Sequence, residues 1–155
     1  MSPDEILLEK VVETLRKIKL EAILIGNVAS VLQGVPVMTQ DFDFFVRDTA
    51  LNRKKIGNFA NELELTIYKR DDALTDVVTA EGKDLIVDFV FKLAPDQKFE
   101  SVRSRARKIK IGKRYCLVAD LEDILKSKKF ANRPKDRAVI ELIENTLRIK
   151  KVLNK

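Results

Sequence analysis

The segment Ile23–Val46, ILIGNVASVLQGVPVMTQDFDFFV, decides how the rest of the chain is interpreted. It begins with an apolar run that ends at Gly26, and it closes with Asp41 and Asp43 set one residue apart in a second apolar run. Between the two runs lie a short stretch of helical character and a Gly-x-Pro turn. We therefore predict a strand, a tight turn, a short helix and a second strand that carries two carboxylates.

The two aspartates of this segment predict a metal site. Side chains two residues apart in a strand point to the same side of the sheet, so Asp41 and Asp43 should project together. Their phenylalanine neighbours mark the strand as part of the core, where paired carboxylates repel one another and lose hydration. A divalent cation would compensate for this, and Mg²⁺ prefers oxygen ligands. The alternative is that this side of the strand faces solvent.

A third acidic residue, Asp88, lies in the middle of the apolar run 84–91, DLIVDFVF. A carboxylate at the centre of a buried strand is costly without a partner. If this strand lies beside the one with Asp41 and Asp43, three carboxylates converge, which suits two metal ions or one metal ion and a general base. The alternative is that Asp88 pairs with a neighbouring Lys or Arg.

The spacing of apolar residues predicts helices and strands in mixed order along the chain. The predicted helices span about 4–19, 28–33, 50–63, 98–106, 121–131 and 135–151. The predicted strands span 22–25, 42–46, 65–68, 77–79, 84–91, 108–111 and 115–118, with a charged turn over 69–72. This order favours the α+β class, a two-layer structure in which helices flank a mixed sheet. A chain of 155 residues is expected to form a single domain, 1–155, whose C-terminal part, about 119–151, is helical.

Several local predictions concern helix ends and faces. Asp48 is the expected cap of the helix over 50–63, and Leu51 is expected on its inner face. Asp120 is the expected cap of the helix near 121, with Asp123 in a capping-box position.

Charge is divided unevenly along the chain. Residues 1–94 contain 12 Lys/Arg and 16 Asp/Glu, whereas residues 95–155 contain 18 and 8. This asymmetry suits a phosphate-bearing partner that lies across both parts, although a basic tail without a specific partner is the alternative. The run Arg103–Arg114 has seven Lys/Arg in twelve residues, which suits a nucleic-acid backbone such as that of a tRNA acceptor, or simply a solvated strand face.

Other features limit the possible functions. The chain has no His, which excludes a Ser-His-Asp triad and His-ligated zinc. It has neither a P-loop motif nor a G-x-G-x-x-G motif. Gly26, between a strand and a helix, would let backbone N–H groups approach a phosphate closely. No apolar run is long enough to span a membrane and the N-terminus is unlike a signal peptide, so we expect no membrane partner and a cytoplasmic location.

Together these motifs resemble a known family. Gly26, Gly34-x-Pro36 and Thr39-x-Asp41-x-Asp43 are similar to the signature of the minimal nucleotidyltransferase-fold family of the DNA polymerase beta-like superfamily. This family includes AbiEii-type toxins and uncharacterised bacterial and archaeal members. Asp88 takes the place of the family's third carboxylate. The segment 122–136, with Glu-Asp-Ile-Leu at its start and Arg-Pro-Lys-Asp at its end, resembles the C-terminal segment of the bacterial and archaeal members.

The resemblance implies a nucleotidyltransferase that depends on Mg²⁺ or Mn²⁺ and transfers a nucleoside monophosphate from an NTP to a hydroxyl acceptor. Asp41, Asp43 and Asp88 would bind the metal and act in catalysis, with Asp88 activating the attacking hydroxyl. The implied nucleotide-binding residues are Gly26, Asn27, Ser30, Lys128, Arg133 and Lys135. For the C-terminal cluster, the alternative is a solvated helix end with an ion pair between Arg133 and Asp136.

Three positions depart from the family pattern. Asn27 stands where the family has a second Gly or Ser, Gln33 where a His is frequent, and Val37 where an Arg is frequent. Besides a working nucleotidyltransferase, two functions therefore stay open. One is a degenerate, non-catalytic module of the same fold that binds nucleic acid or a protein partner. The other is a nucleotidyltransferase-type toxin, which differs in its acceptor.

Overall fold

The structure, a computed structural model, describes residues 2–39, 41–70 and 76–154. The helices are α1 Pro3–Lys17, α2 Gly26–Leu32, α3 Ala50–Leu63, α4 Phe99–Arg105, α5 Leu121–Ala131 and α6 Pro134–Leu153. The strands are β1 Ile23–Ile25, β2 Phe42–Phe45, β3 Thr66–Arg70, β4 Val77–Glu81, β5 Ile86–Val90, β6 Arg107–Ile111 and β7 Arg114–Val118. The charged turn predicted over 69–72 is wrong for Lys69 and Arg70, which belong to β3, and its other two residues lie outside the described ranges.

The strands form one seven-stranded sheet in the order β3-β4-β5-β2-β1-β7-β6. β2 is parallel to β5, and β1 is parallel to β7. The other neighbouring pairs are antiparallel. A mixed sheet accompanied by helices confirms the predicted α+β class. None of the helices in the described ranges combines the length and apolar character that crossing a bilayer requires.

One face of the sheet carries the aromatic core. Phe44 of β2 and Phe89 of β5 are fully buried, with ring centroids 6.3 Å apart. Phe59 of α3 meets Phe89 edge to face at 5.2 Å, and the apolar side of α1 is buried as well. Alternation along each strand sends the neighbours of Phe44 and Phe89 to the opposite face.

That opposite face changes character within two residues. Phe45 is paired in register with Val90, and its ring packs on Phe99 of α4 at 5.5 Å. The next pair on the same face is Asp43 opposite Asp88. This face of the sheet therefore carries an apolar layer under α4. At the next residue pair on the same face of β2 and β5 it carries two carboxylates.

Two local predictions about α3 are wrong. Thr49, and not Asp48, caps the helix, because the Thr49 hydroxyl accepts the Asn52 N–H at 3.0 Å. Asp48 instead accepts a hydrogen bond from Arg53 Nε at 2.8 Å. Leu51 is 61% exposed, because the buried face of α3 begins only with Ile56.

The capping prediction for α5 is half right. Asp120 caps the helix by accepting the Glu122 N–H at 3.2 Å. Asp123 does not complete a capping box, because both of its carboxylate oxygens accept hydrogen bonds from Arg105 at 2.8 and 2.9 Å. This bidentate pair ties α4 to α5 over the sheet.

Gln33 links the end of α2 to the end of β7. Its side chain is buried, and its Nε2 donates to the carbonyl oxygens of Ala29 at 3.0 Å and Ala119 at 2.9 Å. Gln33, one of the three residues that depart from the family sequence pattern, thus connects α2 to the chain that leads into α5.

Replacing Gln33 with Met should destabilise the protein by about 1–3 kcal/mol, because a buried carbonyl loses its donor while side-chain volume is nearly kept. Chemical denaturation monitored by circular dichroism would measure the change. Asn61→Met, at an exposed position of α3, is the control and should change stability little. Equal stability of the Gln33 and Asn61 variants would show that the two hydrogen bonds contribute nothing.

Candidate functional site

A cleft of about 270 Å³ lies where β1, β2 and β5 meet the two C-terminal helices. Eight of the nine residues predicted to form the site line it: Gly26, Asn27, Asp41, Asp43, Asp88, Lys128, Arg133 and Lys135. A larger cavity, of about 740 Å³, lies between α1 and β7, but none of these eight residues lines it. The residues that the sequence implies for catalysis and nucleotide binding are therefore grouped in the smaller cleft.

Asp43 and Asp88 are direct neighbours across the parallel strands β2 and β5. Burial, the charge of Asp88 and a hydrogen bond with Asp88 raise the pKa of Asp43 to about 8, and the charge of Asp41 acts in the same direction. Burial, followed by the charge of Asp88, also raises the pKa of Asp41. Burial and the closeness of the carboxylates thus disfavour the ionised forms of Asp41 and Asp43, a pattern typical of functional sites.

Asp88 has two further partners that the sequence did not reveal. Thr79 Oγ1 of β4 donates to Asp88 Oδ1 at 2.5 Å, and Arg70 Nη1 of β3 donates to Oδ2 at 3.2 Å. The alternative in which Asp88 pairs with a cation is therefore realised, although Asp88 also lines the cleft. No group of three or more Asp, Glu, His or Cys side chains in the described ranges has the arrangement of a metal site.

Gly26 is required by the position of Asp43. Its φ of +74° lies in the left-handed region, which favours glycine, and a Cβ at this position would overlap Asp43 Oδ2. The carboxylate of Asp43 therefore lies directly over the Gly26 backbone. Sequence reasoning placed the start of α2 at residue 28, but the helix begins at Gly26 itself.

The two polar residues that follow Gly26 differ in their surroundings. Asn27 lines the cleft, and its Oδ1 is buried without a hydrogen-bond partner in the part of the chain that the structure describes. Ser30 is fully buried, and its hydroxyl donates to the Gly26 carbonyl at 3.0 Å. Ser30 thus supports the first turn of α2 from behind, whereas Asn27 retains hydrogen-bonding capacity at the cleft.

The cationic side of the cleft is organised by Asp136, which is 2% exposed. Its Oδ2 accepts hydrogen bonds from the backbone N–H and the Nε of Arg133 at 3.1 and 2.8 Å. Its Oδ1 lies 3.7 Å from Lys128 Nζ. Burial raises the pKa of Asp136, but the hydrogen bonds from Arg133 outweigh this effect and hold it below its usual value. The predicted ion pair between Arg133 and Asp136 therefore exists within the cleft wall.

Lys128 and Lys135 act on the carboxylates from this wall. Burial lowers the pKa of Lys128, while the charges of Asp136 and Asp43 oppose that shift. The charge of Lys135 lowers the pKa of Asp41 and so offsets part of the effect of burial and Asp88. The C-terminal helices thus bring positive charge to a cluster of aspartates that the sheet assembles.

Asp43→Asn should stabilise the metal-free protein at alkaline pH. Because the pKa of folded Asp43 is raised to about 8, its contribution to stability is complete below about pH 4 and is lost as the pH rises toward 8. At pH 8.5 in EDTA we expect a melting temperature about 5 °C above that of the wild type, with little difference at pH 5. Exposed Asp84→Asn is the control. Parallel melting curves for wild type and Asp43→Asn across this range would contradict the shift.

Gly26→Ala should destabilise the protein by more than about 1–2 kcal/mol, because alanine is strained at a positive φ and its Cβ would displace Asp43. Gly57→Ala in α3 is the matched control, since a Cβ there meets no atom within 4 Å. That helical substitution should be neutral or stabilising by about 0.5–1 kcal/mol. Urea denaturation of both variants measures the contrast, and equal effects would argue against a specific role for Gly26.

Comparison with known proteins places the chain by structure alone. No protein-family model matches it, and no curated protein matches its sequence. The crystal structure of ANT(2'')-Ia in complex with adenylyl-2''-tobramycin superposes with a TM-score of 0.69 at 15% identity, covering 97% of this chain and 93% of that one. TM1012 from Thermotoga maritima, a candidate nucleotidyltransferase, gives 0.66 at 18% identity, with 99% and 96% coverage.

A third structure is the lincomycin-bound lincosamide antibiotic adenylyltransferase LnuA, with a TM-score of 0.63 at 14% identity and coverage of 94% and 98%. The similarity extends over nearly the whole of each chain, so it concerns the complete architecture and not one shared motif. The chain has the minimal nucleotidyltransferase fold.

Proposed function

We propose that this protein is a nucleotidyltransferase that depends on a divalent cation and transfers a nucleoside monophosphate from an NTP to a hydroxyl acceptor. The observation that supports this most directly is the convergence of Asp41, Asp43 and Asp88 with four cationic side chains on one cleft. The fold adds support. Among its solved members, LnuA is described as a lincosamide antibiotic adenylyltransferase, and ANT(2'')-Ia is described in complex with adenylyl-2''-tobramycin.

The chemistry of the donors, although not their present arrangement, suits a divalent cation such as Mg²⁺ or Mn²⁺. All three side chains offer carboxylate oxygens, the ligands that hard cations prefer. The raised pKa of Asp43 reflects burial and, after it, repulsion by Asp88, and a cation would offset both effects. Asp41, Asp43 and Asp88 would hold the cation, which would neutralise charge on the phosphate oxygens when bound.

The protein's own residues would position the reactants. Lys128, Lys135 and Arg133 would bind phosphate oxygens from the wall formed by α5 and α6, and the bare backbone at Gly26 would allow a phosphate to come close. Asn27 would use its amide group for a hydrogen bond to the nucleotide. The amide donors and the buried, unpartnered Oδ1 give it that capacity.

Asp88 would accept the proton of the acceptor hydroxyl as the hydroxyl oxygen bonds to the α-phosphorus and pyrophosphate leaves. Thr79 and Arg70 would orient its carboxylate for this step through the hydrogen bonds described above. Phosphoryl transfer needs mainly positioning and charge neutralisation, which these groups supply without a covalent enzyme intermediate.

Incubation with labelled NTPs, Mg²⁺ or Mn²⁺ and a panel of hydroxyl acceptors tests the proposal. Wild type should label at least one acceptor, and Asp41→Asn and Asp43→Asn should lose about 100-fold or more of the rate. Asp84→Asn removes an exposed carboxylate that lies outside the cleft and should keep full activity. Equal labelling by wild type and Asp43→Asn, or no labelling by any protein across the panel, would refute the transfer activity.

A second candidate function is a non-catalytic module of the same fold. It is favoured by one observation: Arg70 already occupies an oxygen of Asp88. In such a module the Arg70–Asp88 pair would be permanent, and NTP with Mg²⁺ would not raise the melting temperature. Stabilisation by NTP only in the presence of the cation would favour the enzyme. A toxin of the AbiEii type would behave as the enzyme does and differ only in the acceptor that it labels.

A further inference from the structure

The basic run Arg103–Arg114 separates into two groups with different surroundings. Each of its four arginines forms an ion pair within the protein. The pairs are Arg103–Glu21 at 2.9 Å, Arg105–Asp123 at 2.8 Å, Arg107–Asp120 at 3.0 Å and Arg114–Glu13 at 3.7 Å. These arginines join α4, β6 and β7 to neighbouring elements, so much of the charge in this run has a structural role.

The three lysines of the run are different. Lys108, Lys110 and Lys113 are exposed, and within residues 2–39, 41–70 and 76–154 their ammonium groups form no ion pair. Tyr115 is 64% exposed beside them. The pairing of Lys110 with Tyr115 and of Lys108 with Leu117 puts these side chains on one face of the β6–β7 hairpin. We call Lys108, Lys110, Lys113 and Tyr115 the lysine surface.

The hairpin that carries the lysine surface is held at both ends. At the turn, Glu9 of α1 accepts the Lys113 N–H at 2.6 Å and lies so close to Gly112 that a Cβ there would overlap its carboxylate. At the other end, Arg107 pairs with Asp120. The lysines are therefore presented from a fixed backbone, which reduces the entropy that binding would cost.

The strand residues of the lysine surface, Lys108, Lys110 and Tyr115, share a sheet face with the carboxylate cleft, and Lys113 lies in the turn between the two strands. Leu24 is in register with Phe44 on one side and with Val118 on the other, so these three point to the aromatic core. Side chains alternate between the two faces of the sheet along β7, so Tyr115 and Leu117 lie on the face opposite to Val118. This is the face that carries Asp43. The cavity of about 740 Å³ adjoins the lysine surface, since Lys108, Lys113 and Tyr115 are among the residues that line it.

We propose that the lysine surface binds a single strand of nucleic acid. Lys108 and Lys110 are spaced by about 7 Å along β6, which suits successive phosphates of an extended strand and not a single small anion. The exposed ring of Tyr115, which lies opposite Lys110 in the hairpin register, offers a stacking position for a base, and lysines with an aromatic ring are the combination that single-strand binding surfaces use. This binding goes beyond the proposed transfer reaction and requires none of the three aspartates.

Fluorescence anisotropy with a labelled 12-nucleotide single-stranded RNA tests the proposal. The variant with Lys108, Lys110 and Lys113 all changed to Gln should bind at least about 10-fold more weakly. Its slope of log affinity against log salt should become shallower by about 2, because each single-strand contact contributes about 0.7. Tyr115→Ala should weaken binding about 5-fold or more through lost stacking.

A variant with the exposed residues Lys10, Lys54 and Lys83 changed to Gln loses the same charge elsewhere and should bind like wild type. Asp43→Asn should also bind RNA normally, so this test remains informative if no transfer activity exists. Circular dichroism verifies that each variant is folded. Equal weakening by the variant at Lys10, Lys54 and Lys83 would overturn the proposal. It would also be overturned if Tyr115→Ala bound with unchanged affinity and the wild type bound duplex RNA as tightly as single-stranded RNA.

Discussion

The pairing of Asp43 with Asp88 across two buried parallel strands is the constraint on which the rest of the structure depends. Two carboxylates in such a position repel one another, and burial prevents water from screening them. The protein responds with a raised pKa at Asp43, with Thr79 and Arg70 on Asp88, and with Lys128 and Lys135 from the C-terminal helices. The proposed function would account for this concentration of charge, because a bound cation would offset it.

The elements around this pair serve its placement. Gly26 leaves room for the Asp43 carboxylate, and the chain then enters α2 at once. Gln33 fastens the end of α2 to the chain that leads from β7 into α5. Asp136 gathers Lys128 and Arg133 at the start of α6, so that the cationic wall is itself held by a buried carboxylate. Most acidic residues of the cleft thus come from the first part of the sequence and most basic ones from the second, with Arg70 and Asp136 as the exceptions.

The positive charges of the basic run Arg103–Arg114 fall into two groups with different roles. Arginines in the basic run form ion pairs that hold α4 and the β6–β7 hairpin in place, whereas the lysines beside them stay at the surface. A planar guanidinium suits fixed, bidentate pairing with a carboxylate, and a lysine ammonium suits a solvated surface that meets phosphates. The net charge of residues 95–155 therefore overstates the positive charge available for binding, because the arginines of the basic run are already paired with carboxylates.

The sequence by itself determined the fold class, the order of the elements and the identity of the three aspartates, because apolar periodicity and a buried acidic residue are local signals. It identified Gly26 from the break between strand and helix. It mispredicted the cap of α3, because the adjacent Thr49 takes that position. It mispredicted the role of Asp123, because a short-range pattern does not reveal that Arg105, in another helix, will compete for the carboxylate. Arg70 and Thr79 were missed for a related reason: no local pattern links residues 70 and 79 to residue 88. Only the tertiary structure decided which strand lies beside β2, which cations face the cleft and which lysines stay unpaired, because each of these depends on contacts between residues far apart in the chain.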